Sequence, residues 1–286
     1  MKPITLQAHS SHVNKVKFSN DSKLLFSAGF SGELRAWSTE NWDQSHDFIG
    51  HTKSVNGIEV LCDDTLLSCA ADGSVMKWQA KSGELLQEIL IDKKGAGSLR
   101  TVPGFAVVGT PKYMLSLLST EDLSATLQVK SDAKNLGVMD ICHEKQLAAI
   151  GGLGNQVRFF SLTDGHLASS IEAHETAVMS FQFLDAGKAI SIGYNSDLTF
   201  WNLESEIALK TIKIGDCGYY SLALSPDQKT IAVCMPYSVQ LYTLETLDKI
   251  SSLDVQAKGN YNMNFSPNGK WLALASADKR IRVWSL

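Results

Sequence analysis

The chain has 286 residues, 44% of them apolar, with 26 Lys and Arg against 30 Asp and Glu for a formal net charge of -4. This is the composition of a globular chain rather than a disordered or fibrous one, and at this length roughly three quarters of the unfolded surface can be buried without a disulfide or metal staple. The lack of any Lys or Arg run excludes a polyanion such as DNA or RNA as the main partner, and no stretch approaches ~18 continuous apolar residues, the length of a membrane-spanning helix.

The opening MKPITLQAHSSH has neither an apolar core nor a small-residue cleavage site, so a cytoplasmic or nuclear location and no membrane insertion are expected. Within it, residues 4–9 read as a strand. VNKVKF (Val13, Val16, Phe18), LLFSA (residues 24–28) and LRAW (residues 34–37) follow with apolar residues at every second position. The turn pairs Asn20-Asp21 and Ser31-Gly32 separate them. This pattern returns along the chain. Apolar segments ending at Trp37, Trp78, Leu117, Phe160, Trp201, Tyr242 and Trp284 are spaced by 41, 39, 43, 41, 41 and 42 residues. Seven repeats result. Asp63-Asp64, Asp72-Gly73, Ser225-Pro226-Asp227 and Ser266-Pro267-Asn268-Gly269 punctuate the later units. TEDLSATLQVK (residues 120–130) has a helical look, but its place in the repeat makes it a strand.

Each strand is too short to bury a face alone, so the units must stack. Every internal repeat continues past its landmark into one more strand, whereas the seventh stops at Trp284-Ser285-Leu286. ITLQAH at residues 4–9 matches SSIEAH at residues 169–174, with Leu6 over Ile171 and His9 over His174. The expectation is that the N-terminal strand fills the vacant outer position of the last unit and leaves no open edge there. A single domain, residues 1–286, with no further domain or tail, follows.

These residues resemble the WD40 repeat family. The second repeat carries the whole motif: Gly50-His51, Ser68, Asp72 and Trp78. The first has His9, Ser27 and Trp37 with Ser31 in place of Asp, and the fifth has His174, Ser191 and Trp201 with Asn195 in that place. The seventh keeps Asp278 and Trp284, with Leu274 where Ser would be. The resemblance implies an all-β, seven-bladed β-propeller, closed by the N-terminal strand pairing into the last blade. It also implies that His9, Ser27, Trp37, His51, Ser68, Asp72, Trp78, His174, Ser191 and Trp201 form buried hydrogen-bond chains. No Trp is followed by Asp-x-Arg, which argues against the ubiquitin-ligase adaptor motif of some members. SDAKNLGVMDIC (residues 131–142), HETAVMSFQF (residues 174–183) and DKRIRVWSL (residues 278–286) are similar to the ASTRA-associated, G-protein-β-like propellers. That similarity implies a cofactor in chaperone-assisted assembly of PI3-kinase-like kinases.

The residue types of a hydrolase triad occur in His51, Ser68 and Asp72, but the structural task assigned by the resemblance takes precedence, and no catalytic residue is expected. Cys62 and Cys69 are separated by six intervening residues, Cys142-His143 point to opposite faces of a strand, and GGLGNQ (residues 151–156) lacks both the GxGxxG order and a following helix. No metal, no cofactor and no small-molecule substrate are expected. With Cys217 and Cys234, the five cysteines suit reduced thiols.

Two recurring positions should line one mouth of a propeller. The first position of each repeat gives Asn14, Asn56, Arg100, Gly137, Met179, Tyr220 and Tyr261; the second gives Phe30, Ala71, Thr110, Leu153, Tyr194, Met235 and Ala277. Phe30, Arg100, Met179, Tyr194, Tyr220, Met235 and Tyr261 are the partner-binding candidates, since aromatic side chains bury much area for little rotamer entropy and Met side chains adapt to partners. The function expected is a non-enzymatic scaffold, a subunit of a larger complex that binds a protein or peptide. A reader of a modified tail is the alternative, disfavoured because Arg100 is the one cation among these positions.

Overall fold

A computed structural model describes residues 2–111, 114–131, 138–215, 221–255, 257 and 259–286. Among these the regular structure is all strand. β1 (Ile4–Gln7) leads into the first sheet: β2 (Val13–Phe18), β3 (Leu24–Gly29), β4 (Leu34–Ser38) and β5 (Gln44–Phe48). The second sheet is β6 (Val55–Val60), β7 (Thr65–Ala70), β8 (Ser74–Gln79) and β9 (Leu85–Leu90), and the third is β10 (Ser98–Val102), β11 (Phe105–Thr110), β12 (Met114–Ser119) and β13 (Ala125–Lys130). The fourth contains β14 (Val138–Cys142), β15 (Leu147–Gly151), β16 (Gln156–Ser161) and β17 (Leu167–Glu172), and the fifth β18 (Val178–Phe183), β19 (Lys188–Gly193), β20 (Asp197–Asn202) and β21 (Ile207–Lys213). The sixth is β22 (Leu222–Leu224), β23 (Thr230–Cys234), β24 (Ser238–Thr243) and β25 (Lys249–Asp254). The last three strands are β26 (Asn260–Phe265), β27 (Trp271–Ser276) and β28 (Arg280–Ser285).

Six sheets are plain meanders of consecutive strands, and the seventh has the order β1-β28-β27-β26. These are the seven four-stranded antiparallel blades of a β-propeller, the last completed by the N-terminal strand. Ile4 pairs with Val283 and Leu6 with Ile281, the rung that joins Val157 to Ile171 in the fourth sheet. Leu6 is buried with Val13, Trp37, Ile281 and Val283, so β1 is held by apolar burial as well as by its ladder.

The strands form two compact units, Met1–Lys93 with Gly218–Leu286 and Lys94–Cys217. In the first unit, apolar faces of neighbouring sheets interleave: Phe26, Leu34 and Phe48 meet Ile58, Leu66 and Trp78 across the first and second. Met263, Phe265 and Trp284 meet Leu241 and Leu253 across the seventh and sixth. In the second unit Leu115 and Leu117 pack on Ile150 and Phe160, and Phe159 packs on Phe181 and Trp201.

In sheets one to six the third and fourth strands slip register immediately before the landmark residue, as between Ala36 and Trp37 or Lys77 and Trp78. The bulge twists the strand and turns the large side chain inward. In the third sheet it falls between Leu117 and Leu118. Leu118, fully buried and paired with Ala106, is therefore the landmark of that repeat, and the expected Leu117 is one residue early.

Candidate functional site

Ser27, Ser68 and Ser191 lie on the second strands of sheets one, two and five, and all are fully buried. In each, the Ser Oγ accepts a hydrogen bond from a Trp Nε1 at 2.8 Å: Trp37 to Ser27, Trp78 to Ser68 and Trp201 to Ser191. The same oxygen lies 2.7 Å from a His Nε2, pairing His9 with Ser27, His51 with Ser68 and His174 with Ser191. With the indole donating to Ser, the hydroxyl proton is left to donate to the imidazole. Gly29 and Gly193 make room for the rings. A Cβ on Gly29 would stand 2.9 Å from His9 Nδ1, and one on Gly193 2.6 Å from His174 Cγ.

Burial lowers the pKa of all three histidines, holding His9 and His174 at about 4. They are neutral at physiological pH, as the hydroxyl-accepting Nε2 requires. Asp72 sits at the far end of the second sheet's chain, with Oδ2 3.3 Å from His51 Nδ1 and 2.8 Å from Thr52 N. Desolvation acts to raise Asp72, but hydrogen bonds from Ser74 and from Thr52 N overcome it and hold the carboxylate at about 2. A nucleophile needs an open approach to its oxygen. These hydroxyls have none, and their hydrogen-bonding capacity is taken up by Trp and His.

Sequence reasoning sought the carboxylate six residues before the Trp and found Ser31 and Asn195 there. In the first sheet the charge comes from Glu33, two residues later: its Oε2 is 3.2 Å from His9 Nδ1 and accepts from Ser10 N at 3.0 Å and Ser31 Oγ at 2.7 Å. In the fifth, Asp197 occupies the same offset; it accepts from Asn195 Nδ2 at 2.7 Å, and its charge acts on His174. Ser74 is the counterpart in the second sheet, 2.9 Å from His51 Nδ1 and donating to Asp72 Oδ1 at 2.6 Å. Charge four residues before the Trp was the available signal. In the seventh sheet Leu274 supplies no hydroxyl, Trp284 Nε1 is buried without a partner among the described residues, and Asp278 is paired bidentately with Arg282 at 2.6 and 3.1 Å.

The partner-surface candidates separate into those at loop ends and those elsewhere. In the first unit Asn14, Asn56 and Tyr261 occupy bulges at the starts of inner strands β2, β6 and β26. Phe30, 42% exposed, follows β3, with its N–H donating to His12 O at 2.9 Å. Phe30 and Tyr261 meet at 5.6 Å between ring centroids, and His12, which the sequence reading passed over, completes a three-ring cluster at 5.5 Å from Phe30 and 6.1 Å from Tyr261. Its Nδ1 lies 3.3 Å from Tyr261 Oη. In the second unit Met179 occupies the corresponding bulge of β18, and Tyr194 is 61% exposed in the turn after β19. Tyr220 and Gly137 lie outside the described residues.

Arg100 and Met235 stand elsewhere. Arg100 pairs with Val107, the mid-strand rung that elsewhere carries Lys17, Glu59, Asp140, Gln182 and Asn264. Leu99, the first apolar residue of β10, matches Val16 rather than Val13, and this shifts the position by three. The Arg100 guanidinium faces Asp140 at 3.8 Å. Met235 is 5% exposed: the β23–β24 turn is one residue shorter than that of β3–β4, so Met235 takes the rung of Gly29 and Tyr237, 54% exposed, takes the tip. Thr110 is likewise buried, one residue early as a consequence of the Leu117 assignment.

Among the described residues no three His, Cys, Asp or Glu side chains are placed to share a metal ion. Cys69, Cys142 and Cys234 are buried and Cys62 is exposed, none of them in a disulfide; Cys217 lies outside the described residues. No helix among the described residues is long and apolar enough to cross a membrane.

Comparison with known proteins agrees with this geometry. The family model for the WD domain, G-beta repeat, matches residues 2–38, 42–79 and 238–285. Similar proteins include the SIR4-interacting protein SIF2 of Saccharomyces cerevisiae, 34% identical over 30% of this chain and 16% of that protein. The Target of rapamycin complex subunit wat1 of Schizosaccharomyces pombe is 31% identical over 34% of this chain and 32% of its own length. Striatin of Mus musculus is 25% identical over 73% of this chain and 30% of its length. The chain thus spans a third or less of these relatives. Three stretches of it are WD40 repeats, of the G-beta type, and the Trp–Ser–His chains at His9 and His51 belong to two of them.

Proposed function

We propose that the protein is a non-enzymatic interaction scaffold, a cytoplasmic or nuclear subunit of a larger assembly, which docks a protein or peptide on the loop ends that carry Phe30, His12 and Tyr261. The observation that carries this reading is the three-ring cluster at the surface of the first unit. Rings that already rest on one another surrender little conformational entropy when a partner covers them, and they bring large apolar area to the contact. Met179 and Tyr194 are proposed as a docking position of the second unit in its own right. The buried state of Ser27, Ser68 and Ser191 supports a structural use of the residue types that suggest hydrolysis. Two of the relatives are named for an interaction with another protein and for membership of a complex, which supports the same role here.

Affinity purification with quantitative mass spectrometry tests the proposal. Phe30→Ala combined with Tyr261→Ala, in a protein whose thermal melt is within a few degrees of wild type, should deplete the co-purifying proteins about tenfold or more, in line with the loss of two hot-spot rings. Recovery of an unchanged set would remove this surface from the account.

A further inference from the structure

We infer that the segment docked on the ring cluster is acidic: a peptide with several Asp or Glu residues beside an aromatic or apolar anchor. The inference rests on the docking reading and specifies its ligand. It follows from where charge is spent on the turns around the rings. Three carboxylates stand on these turns, and each is engaged within the fold. Glu33 is bonded to His9, Ser10 N and Ser31 and pairs with Arg35 at 3.0 Å. Asp72 accepts from Thr52 N and Ser74, and Asp278 is held bidentately by Arg282. Carboxylates so satisfied offer little to an incoming cation.

The lysines of the same turns are uncommitted. Lys53 and Lys279 are exposed, and neither pairs with a carboxylate among the described residues. Their backbones are fixed against the loops that carry the rings. Lys279 O accepts from Ala8 N at 3.1 Å and His9 N at 3.3 Å, on the loop that reaches His12 three residues later. Gly32, two residues after Phe30, has φ of 89° and packs so closely on the second loop that a Cβ would lie 2.7 Å from His51 O and 3.2 Å from Lys53 O. Ala277 N donates to Gly259 O at 2.6 Å, which ties the Lys279 turn to the strand start bearing Tyr261. An apolar anchor surface is thereby bordered by two lysines with no carboxylate partner among the described residues, while Glu33 and Asp278 are matched by Arg35 and Arg282, although the whole chain is net negative at -4. Complementarity of this kind selects the partner and steers its approach.

The test pans a display library of random twelve-residue peptides on the full chain, with Phe30→Ala/Tyr261→Ala as the counter-target. Clones that depend on the rings should be enriched in Asp and Glu around an aromatic residue. Their synthetic peptides should bind the Lys53→Glu/Lys279→Glu variant about tenfold more weakly at ~50 mM salt, a gap that closes near 0.5 M as screening removes the surface pairs. Ring-dependent clones that are neutral or basic, or that bind the charge-reversed variant equally well, would overturn the inference and leave the docking reading standing. A library yielding no ring-dependent clone would overturn both.

Discussion

Replacing Ser68 by Ala removes one oxygen and strands two buried groups. Ser68 Oγ is the acceptor for Trp78 Nε1 at 2.8 Å and the neighbour of His51 Nε2 at 2.7 Å, and both Ser68 and Trp78 are fully buried. Water has no route to replace the hydroxyl. An unmet buried donor or acceptor costs about 1–3 kcal/mol, so two of them, less the small gain from removing a polar group, should cost about 3 kcal/mol. For a chain of this size that is a fall of roughly 6–12 °C in Tm. Thermal and urea unfolding of the purified variant would read it, with Ser82→Ala as the exposed control expected within about 0.5 kcal/mol of wild type. A Ser68→Ala loss no larger than that of the control would show that the Trp–Ser–His chain does not hold the blade, and would undo the structural reading of His9 and His174 as well.

The indole of Trp284 offers the complementary case. Because its Nε1 has no partner among the described residues whereas that of Trp78 does, Trp284→Phe should be milder than Trp78→Phe by about 1–3 kcal/mol, although both side chains are fully buried; equal losses in paired urea titrations would contradict this. The histidines set an acid limit. Burial holds His9 and His174 at about 4 in the fold, below the ordinary 6.5, so between those values the unfolded chain takes up protons that the native chain refuses. Their contribution to stability is complete above pH ~6.5 and is lost as pH falls toward 4, by about 3 kcal/mol for each ring. Unfolding free energies flat from pH 7 to 4 would speak against neutral buried histidines.

Much of the fold was legible because the repeat imposes it. Trp37, Trp78, Trp201 and Trp284 fix the same rung in four blades, and the likeness of residues 4–9 to 169–174 placed the N-terminal strand. Where no aromatic marks the rung, the reading slipped. Leu117 and Leu118 are chemically alike in a one-dimensional pattern, and only the bulge between them settles which points inward. The candidate surface suffered more, because turn length and bulges decide which side chain reaches the end of a sheet. A turn shortened by one residue buries Met235, and a later-starting apolar pattern carries Arg100 into mid-strand. Glu33 and Asp197 were overlooked for a related reason. A carboxylate two residues further along lies on the same face because strand side chains alternate; from there the longer Glu33 side chain bonds His9, and the charge of Asp197 acts on His174. His12 carried no pattern in sequence; its role depends on Phe30 and Tyr261, 18 and 249 residues away, meeting it in space.

The central claim is that residues 4–7 are the outer strand of the last blade. Amide hydrogen exchange resolved at those residues tests it most directly. The ladder to β28 predicts that the amides facing Arg280 to Val283 exchange slowly, at rates that rise together with those of β28 when denaturant is added. Exchange at the rates of an unstructured peptide, with β28 still protected, would contradict it.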